Sequence, residues 1–186
     1  MQALDLCCGT GDVAFALANA GAKVVGCDFS EPMLEVARKR LHSRGNRGDE
    51  AVTFVQADAL HLPLEPNTFD IVTIAYGLRN LADFRAGLLE MLRVLKPGGK
   101  LLILDFGKPE FAPWREAYFA YLKLFVPLFG KIFCGDSATH AYILESLKKY
   151  PAKKGIAAML TELGCREVHI ENLLGGVMSI NTAIKA

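Results

Sequence analysis

Short apolar runs alternate with amphipathic stretches from the first residues onward. Ala3 to Cys7, Lys23 to Cys27, Val52 to Gln56 and Phe69 to Ala75 are apolar or β-branched over strand-length windows. The last of these is apolar throughout except for Asp70 and Thr73, as a central strand covered on both faces should be. Helical periodicity fills the gaps, over Asp12 to Ala20 and over Glu31 to about Ser43, the second opening on the favourable start Ser30-Glu31-Pro32. Polar residues Arg44 to Gly48 and the prolines Pro63 and Pro66 mark loops. A further helix, about Phe84 to Leu95, stops at Lys96-Pro97-Gly98-Gly99, which reads as a helix end and a turn together, before a strand from Lys100 to Phe106.

The end of the chain predicts a helix from Lys153 to Leu163, closed by Gly164, and two strands, Arg166 to Asn172 and Val177 to Ile184. Gly175-Gly176 between those strands reads as the bend of an antiparallel hairpin at one edge. The strand–helix alternation therefore predicts an α/β fold. It is a doubly wound, Rossmann-like sheet of seven strands, mostly parallel with an antiparallel C-terminal hairpin strand, and with helices on both faces. We expect a single domain over residues 1–186.

Between Phe111 and Phe133 the pattern changes. Aromatic residues crowd this stretch, with Trp114, Tyr118, Tyr121 and Phe125 at helical spacing. One such helix can pack on the sheet and still offer part of its apolar face to a greasy ligand.

Composition narrows the class. The 186 residues are 52% hydrophobic and 22% charged, ordinary for a globular α/β chain. A formal net charge of +1 gives no electrostatic footprint for duplex nucleic acid, so no nucleic-acid partner is expected. The five cysteines, Cys7, Cys8, Cys27, Cys134 and Cys165, have no metal-ligand spacing, and an odd number suits a reducing, cytoplasmic compartment. No metal site is expected. Cys7 and Cys8 are adjacent, but on a strand their side chains face opposite sides, which argues against a redox pair. No signal peptide is visible, and no apolar run approaches the ~20 residues of a membrane-spanning helix.

The chemistry begins at Leu4-Asp5-Leu6-Cys7-Cys8-Gly9-Thr10-Gly11-Asp12, a glycine turn between a strand and a helix. Gly9 and Gly11 let the turn tighten and a ligand approach the backbone, and the N–H groups that open the helix can hold an anionic group. Asp5 would repel a pyrophosphate but suits a cofactor that carries an ammonium. Asp28 ends the second strand about 20 residues on, the spacing of a carboxylate that accepts ribose hydroxyls, although it could instead cap the following helix. Asp58 ends the third strand, where a carboxylate can accept from the exocyclic amine of adenine while the Ala59 N–H meets a ring nitrogen. Three acidic strand ends without a phosphate-binding lysine point to S-adenosylmethionine rather than a dinucleotide. Phe29, Met33, Thr10, Ala75 and Tyr76 complete the expected cofactor set.

By Asp58 the chain resembles a class I S-adenosylmethionine-dependent methyltransferase. Phe69-Asp70-Ile71-Val72-Thr73-Ile74-Ala75-Tyr76-Gly77-Leu78-Arg79-Asn80 resembles more narrowly the family that C-methylates quinol precursors of ubiquinone and menaquinone. The likeness continues through Arg93-Val94-Leu95-Lys96-Pro97-Gly98-Gly99, Leu104-Asp105-Phe106, Lys108-Pro109, Asp136-Ser137, Tyr142-Ile143-Leu144-Glu145-Ser146 and Asn172-Leu173-Leu174-Gly175-Gly176-Val177. Cys-Cys-Gly-Thr at the first turn is more similar to the naphthoquinol branch than to the benzoquinol branch, where Ala-Gly-Gly-Thr is usual. Family members usually carry a helical segment before the first strand, which this sequence lacks.

The resemblance implies a prenylated quinol as substrate. Arg79 then suits stabilisation of the ring oxyanion, Asn80 the orientation of a water, and His140 or Tyr142 the acceptance of a proton. Arg79 could alternatively anchor its loop by pairing with Asp83 or Asp70. A lipid-soluble substrate also implies peripheral membrane contact through the Phe111–Phe133 face, or self-association of that face into a homodimer. An amino-methyltransferase is disfavoured, because the fourth strand exits without the Asp/Asn-Pro-Pro-Tyr signature. Methylation of another class of small molecule, an NAD-dependent oxidoreductase, and a protein that binds the cofactor without turnover are the remaining readings.

Overall fold

The computed structural model describes residues 1–44, 51–133, 146–147 and 149–186. Five parallel strands are laid down first: β1 (Gln2–Leu6), β2 (Lys23–Asp28), β3 (Val52–Gln56), β4 (Phe69–Ala75) and β5 (Leu95–Phe106). Between or after them lie α1 (Asp12–Asn19), α2 (Glu31–Ser43), α3 (Phe84–Val94) and α4 (Ala112–Phe133). The chain ends with α5 (Ala152–Glu162), β6 (Arg166–Leu173) and β7 (Met178–Ile184). The sheet order is β3-β2-β1-β4-β5-β7-β6. β7 runs antiparallel to both neighbours, so it slots between β5 and β6 and leaves β6 at the edge. This is the expected seven-stranded, mostly parallel sheet with its antiparallel hairpin.

The alternation of side chains along β1 explains why both faces are covered. Leu4 and Leu6 face a core shared with Val72, Ile74, Leu101 and Ile103, closed by Leu88 and Met91 of α3 and by Ile156 and Leu160 of α5. Ala3 faces the other way, with Ala14 and Phe15 of α1 and Leu34, Ala37 and Leu41 of α2. Each fully buried leucine or isoleucine contributes about 1.5–3 kcal/mol, far more than any helix propensity, so packing sets where these helices lie. α3 has in addition a polar start, since the Asp83 carboxylate accepts the Ala86 N–H at 3.0 Å.

Continuous pairing of β5 with both β4 and β7 starts at Lys100, where the strand is expected. Leu95 pairs with Phe69 upstream, and between them Gly98, at φ 76°, turns the chain, as Lys96-Pro97-Gly98-Gly99 predicts. This turn is tied to the far end of the sheet. The Gly98 N–H donates to the Lys185 carbonyl at 2.9 Å and the Lys185 N–H to that of Gly99 at 3.0 Å, so residues just past β7 pair with the Pro-Gly-Gly stretch.

α4 divides its aromatic residues. Tyr118 and Leu122 are buried against Leu147, whereas Phe111 just before the helix, and Trp114, Tyr121 and Leu124 on it, remain substantially exposed. Trp114 crosses to the β6–β7 connection, where its indole N–H donates to the Leu174 carbonyl at 3.3 Å.

Candidate functional site

The sheet order reverses between β1 and β4, and the crevice at the carboxyl ends of these strands is where ligands bind in open α/β sheets. The backbone is unusual on both sides of it. Cys7 and Tyr76, the residues just past β1 and β4, both adopt positive φ, 55° and 56°, which non-glycine residues rarely do and which concentrates at functional sites. Gly77 lets these two strand exits approach each other, since a Cβ there would lie 2.5 Å from the Cys7 Cβ.

A hollow of about 500 Å³ opens at this point. Gly9, Asp28, Phe29, Met33, Asp58, Ala59, Ala75 and Tyr76, eight of the expected cofactor residues, line it. The lining also includes Cys7, Leu60, Gly77, Asn80, Leu81 and Ala82. Among the described lining residues there are two carboxylates and neither a lysine nor an arginine.

Asp28 is fixed by the backbone around it. Its Oδ2 accepts the Gly9 N–H at 2.8 Å, and its Oδ1 accepts the Ser30 N–H at 2.9 Å. The carboxylate thus ties the glycine turn to the start of α2, and the remaining lone pair on each oxygen is available for a pair of vicinal hydroxyls. Asp28 does not cap α2, whose N-cap is Ser30; it holds the N–H of that residue instead. Asp58 forms its own tight turn, with Oδ1 accepting the Leu60 N–H at 2.9 Å, and its carboxylate is half exposed at the mouth. Phe29 and Met33 stand exposed on the same rim, an apolar surface for a flat ring.

Three expected cofactor residues lie elsewhere. Asp5 shares the face of β1 that turns toward α1, is 1% exposed, and accepts the Thr73 hydroxyl at 2.9 Å. Burial raises its carboxyl to about 7, with the nearby Asp28 charge pushing the same way and the Thr73 hydroxyl opposing. Thr10 is occupied by Arg40, whose guanidinium donates to its carbonyl at 2.8 Å and its hydroxyl at 2.9 Å. Gly11, at φ 88°, faces Phe54 and Phe15, and a Cβ there would lie 2.8 Å from the Phe54 ring. Its role is to let the turn enter α1 in a conformation that side chains disfavour.

Cys7 and Cys8 pack into the two opposite cores, as strand alternation predicts. All four described cysteines are free, and burial pushes Cys7 and Cys27 up to about 12, so both stay protonated at neutral pH. A nucleophilic or redox role finds no support in these thiols.

Of the expected catalytic residues, Arg79 and Asn80 sit in a short 3₁₀ turn, Leu78–Asn80, directly after the crevice. His140 and Tyr142 lie outside the described residues. Asn80 is exposed into the first hollow, its side-chain amide donating to the Tyr76 carbonyl at 3.2 Å. Arg79 is 8% exposed and pairs with neither Asp83 nor Asp70. The first caps α3 and the second accepts Lys96 at 2.6 Å. Its partner is Asp105 at the end of β5. Arg79 Nη1 donates to Asp105 Oδ1 at 2.7 Å and to the Tyr76 carbonyl at 2.6 Å, and its backbone N–H donates to Asp105 Oδ2 at 3.1 Å. The guanidinium also stands 4.9 Å from the Phe106 ring centroid and 5.9 Å from that of Tyr76. Burial raises the Asp105 carboxyl, and Arg79 opposes that rise. Asp105 escaped the sequence reading, although Leu104-Asp105-Phe106 placed a charge at the end of a buried strand, the signal that had singled out Asp28.

A second hollow, about 470 Å³, adjoins the first and shares Asn80, Leu81 and Ala82 with it. Its other described lining residues are Arg79, Phe84, Ser146 and Lys149. The described residues hold no group of acidic, histidine or cysteine side chains arranged for a metal ion.

Residues 1–185 match the ubiE/COQ5 methyltransferase family. The demethylmenaquinone methyltransferase of Clavibacter sepedonicus is 41% identical over 98% of this chain and 72% of its own length. The ubiquinone/menaquinone biosynthesis C-methyltransferase UbiE of Pseudomonas entomophila is 42% identical over 99% and 72% respectively. Among solved structures, a SAM-dependent methyltransferase from Aquifex aeolicus superposes with a TM-score of 0.70 at 21% identity, covering 100% of this chain and 82% of that one. At that identity the superposition bears on the fold alone.

Proposed function

The chain belongs to the ubiE/COQ5 methyltransferase family, and on that premise we propose that it is an S-adenosylmethionine-dependent C-methyltransferase of a prenylated quinol ring, with demethylmenaquinol preferred over a benzoquinol. One observation carries the cofactor reading. A nucleoside-sized hollow at the β1/β4 reversal presents Asp28 and Asp58 and, among its described lining, no cationic side chain. Such a lining repels a pyrophosphate and favours a nucleoside whose far end is cationic.

In this reading Asp28 holds the ribose hydroxyls, Asp58 and Ala59 meet the adenine edge, and Phe29 and Met33 cover its face. The cofactor supplies a methyl group on a sulfonium, whose S–C bond breaks with its electron pair as the ring carbon forms the new C–C bond. Much of the acceleration in such an in-line displacement comes from orientation in a dry site. Tyr76, in the first hollow, and Asn80, shared by both, are available to hold the methyl and the ring carbon in line. The ring carbon is nucleophilic once the neighbouring hydroxyl has lost its proton, and the ring C–H proton leaves afterwards to restore aromaticity. The site therefore has to stabilise an oxyanion, a role that suits Arg79, which lines the second hollow next to Asn80.

We extend the proposal to the surface. The described helices include none long and apolar enough to cross a membrane. A prenylated quinol is lipid-soluble, however, and Phe111 and Leu124 stand 70% and 63% exposed on and beside α4. These side chains suit peripheral contact of a cytoplasmic enzyme with a bilayer surface. The proposed activity is tested by supplying the protein with S-adenosylmethionine and, in parallel, demethylmenaquinol and a matching benzoquinol. Faster methylation of the naphthoquinol is expected. Turnover of neither ring would overturn the reading.

A further inference from the structure

Two polar atoms beside the Arg79–Asp105 pair are buried and have no hydrogen-bond partner among the described residues, Arg79 Nε and the Tyr118 hydroxyl. Leaving a donor buried without an acceptor is costly, so two at one place require an explanation. Neither comes from a loose side chain. The Arg79 guanidinium is held by Asp105, the Tyr76 carbonyl and two aromatic rings, and Tyr118 is 6% exposed, packed with Leu122 and Leu147. Burial pushes the Tyr118 phenol up to about 12, so at neutral pH it is a donor. The same phenol is close enough to the ion pair to respond to both charges. Arg79 also lines the second hollow, which shares a wall with the cofactor hollow.

We propose that Arg79 and Tyr118 are paired donors for the ring oxygen next to the carbon that is methylated, with Asp105 the positioning residue that aims Arg79. This inference rests on the quinol C-methyltransferase reading above. Both oxygens of Asp105 are engaged, Oδ1 by Arg79 Nη1 and the Phe106 N–H and Oδ2 by the Arg79 backbone N–H, so it acts through Arg79. It fixes Nη1 and the Arg79 backbone, while Nε–H stays buried with no partner among the described residues. In the step itself the hydroxyl proton of the substrate passes to water. The oxygen lone pair moves into the ring, and the ring carbon takes the methyl from the sulfonium, whose sulfur keeps the electron pair of the broken bond. The two donors hold the oxygen while it is anionic, and so lower the pKa of the bound hydroxyl.

Tyr118→Phe separates this role from a structural one. The change removes a hydroxyl that has no described partner, so without ligand the variant should be as stable as the parent or more so. Its kcat should nonetheless fall by at least about tenfold, the value of one hydrogen bond to a charged oxygen, and the alkaline rise in kcat should move to higher pH. A probe independent of turnover is a set of chlorinated 1-naphthols of graded acidity, bound in the presence of S-adenosylhomocysteine and followed by absorbance. The parent protein should ionise the bound naphthol at lower pH than free solution does. Tyr118→Phe should weaken that shift, Asp105→Asn should weaken it as well, and the affinity of both variants for S-adenosylhomocysteine should hold within about twofold. If Asp105→Asn does not fold, Tyr118→Phe decides alone. Unchanged naphthol ionisation in Tyr118→Phe would overturn the inference, as would lost stability with an unmoved pH profile. If the parent ionises naphthols but methylates no quinol, the donor pair stands and the substrate reading fails. If it methylates demethylmenaquinol and Tyr118→Phe matches it at every pH, the reverse holds.

Discussion

Asp28 Oδ2 accepts the Gly9 N–H at 2.8 Å, so the residue proposed to hold the ribose also fixes the glycine turn that the cofactor approaches. Removing the carboxylate deletes a ligand contact and loosens the turn together. Asp28→Ala should weaken S-adenosylhomocysteine binding by about 1.5–3 kcal/mol, the range for hydrogen bonds to a charged group. Isothermal titration calorimetry measures this directly, and binding equal to that of the parent would remove Asp28 from the site.

Asp5 gives the fold a pH dependence of defined sign. Its folded-state carboxyl is raised to about 7, while in the unfolded chain an aspartate ionises near 3.9. Between those values the folded protein retains a proton that the unfolded chain has released, so stability falls as pH rises from about 4 to about 7 and levels off above. Asp5→Asn carries no charge to bury. It should match the parent near pH 4 and exceed its stability at pH 8, by on the order of 2–4 kcal/mol. Urea unfolding at both pH values tests this, and equal differences at the two would show that Asp5 does not titrate as described.

The sequence revealed most of this architecture because strand and helix periods are local properties. β1 to β4, α1 to α3 and the final hairpin could be read to within a residue or two. The bonds that tie Gly98 and Gly99 to Lys185 could not, because they join residues far apart in the chain. The same distinction divides the site. Asp28 and Asp58 were legible from their position at strand ends. The turning of Asp5 toward α1 depends on which face of β1 each core claims, which its strand pattern alone does not state. Asp105 as the partner of Arg79 was hidden for a related reason. Asp83 and Asp70 are nearer in sequence, but one is consumed by a helix cap and the other by Lys96.

The proposed membrane contact predicts a surface effect separable from the fold. Phe111 and Leu124 are exposed, so replacing both with aspartate should leave thermal unfolding nearly unchanged, within about 0.5 kcal/mol as for ordinary surface substitutions. Binding to liposomes by co-sedimentation should fall, and turnover of a long-chain quinol should fall more than that of a short-chain analogue. A parent protein that ignores liposomes would refute the contact. Dimerisation abolished by the same two substitutions would reassign the surface to a second copy of the chain.

Transfer of a methyl group from S-adenosylmethionine to a quinol ring carbon leaves the incoming carbon and its hydrogens traceable. The most direct test supplies trideuteromethyl-labelled S-adenosylmethionine and reduced demethylmenaquinol, and locates the label by mass spectrometry and NMR. An intact trideuteromethyl group on the ring carbon is expected, formed more slowly by Asp28→Ala. Label on a ring oxygen, or no transfer by a folded protein that binds S-adenosylhomocysteine, would contradict it.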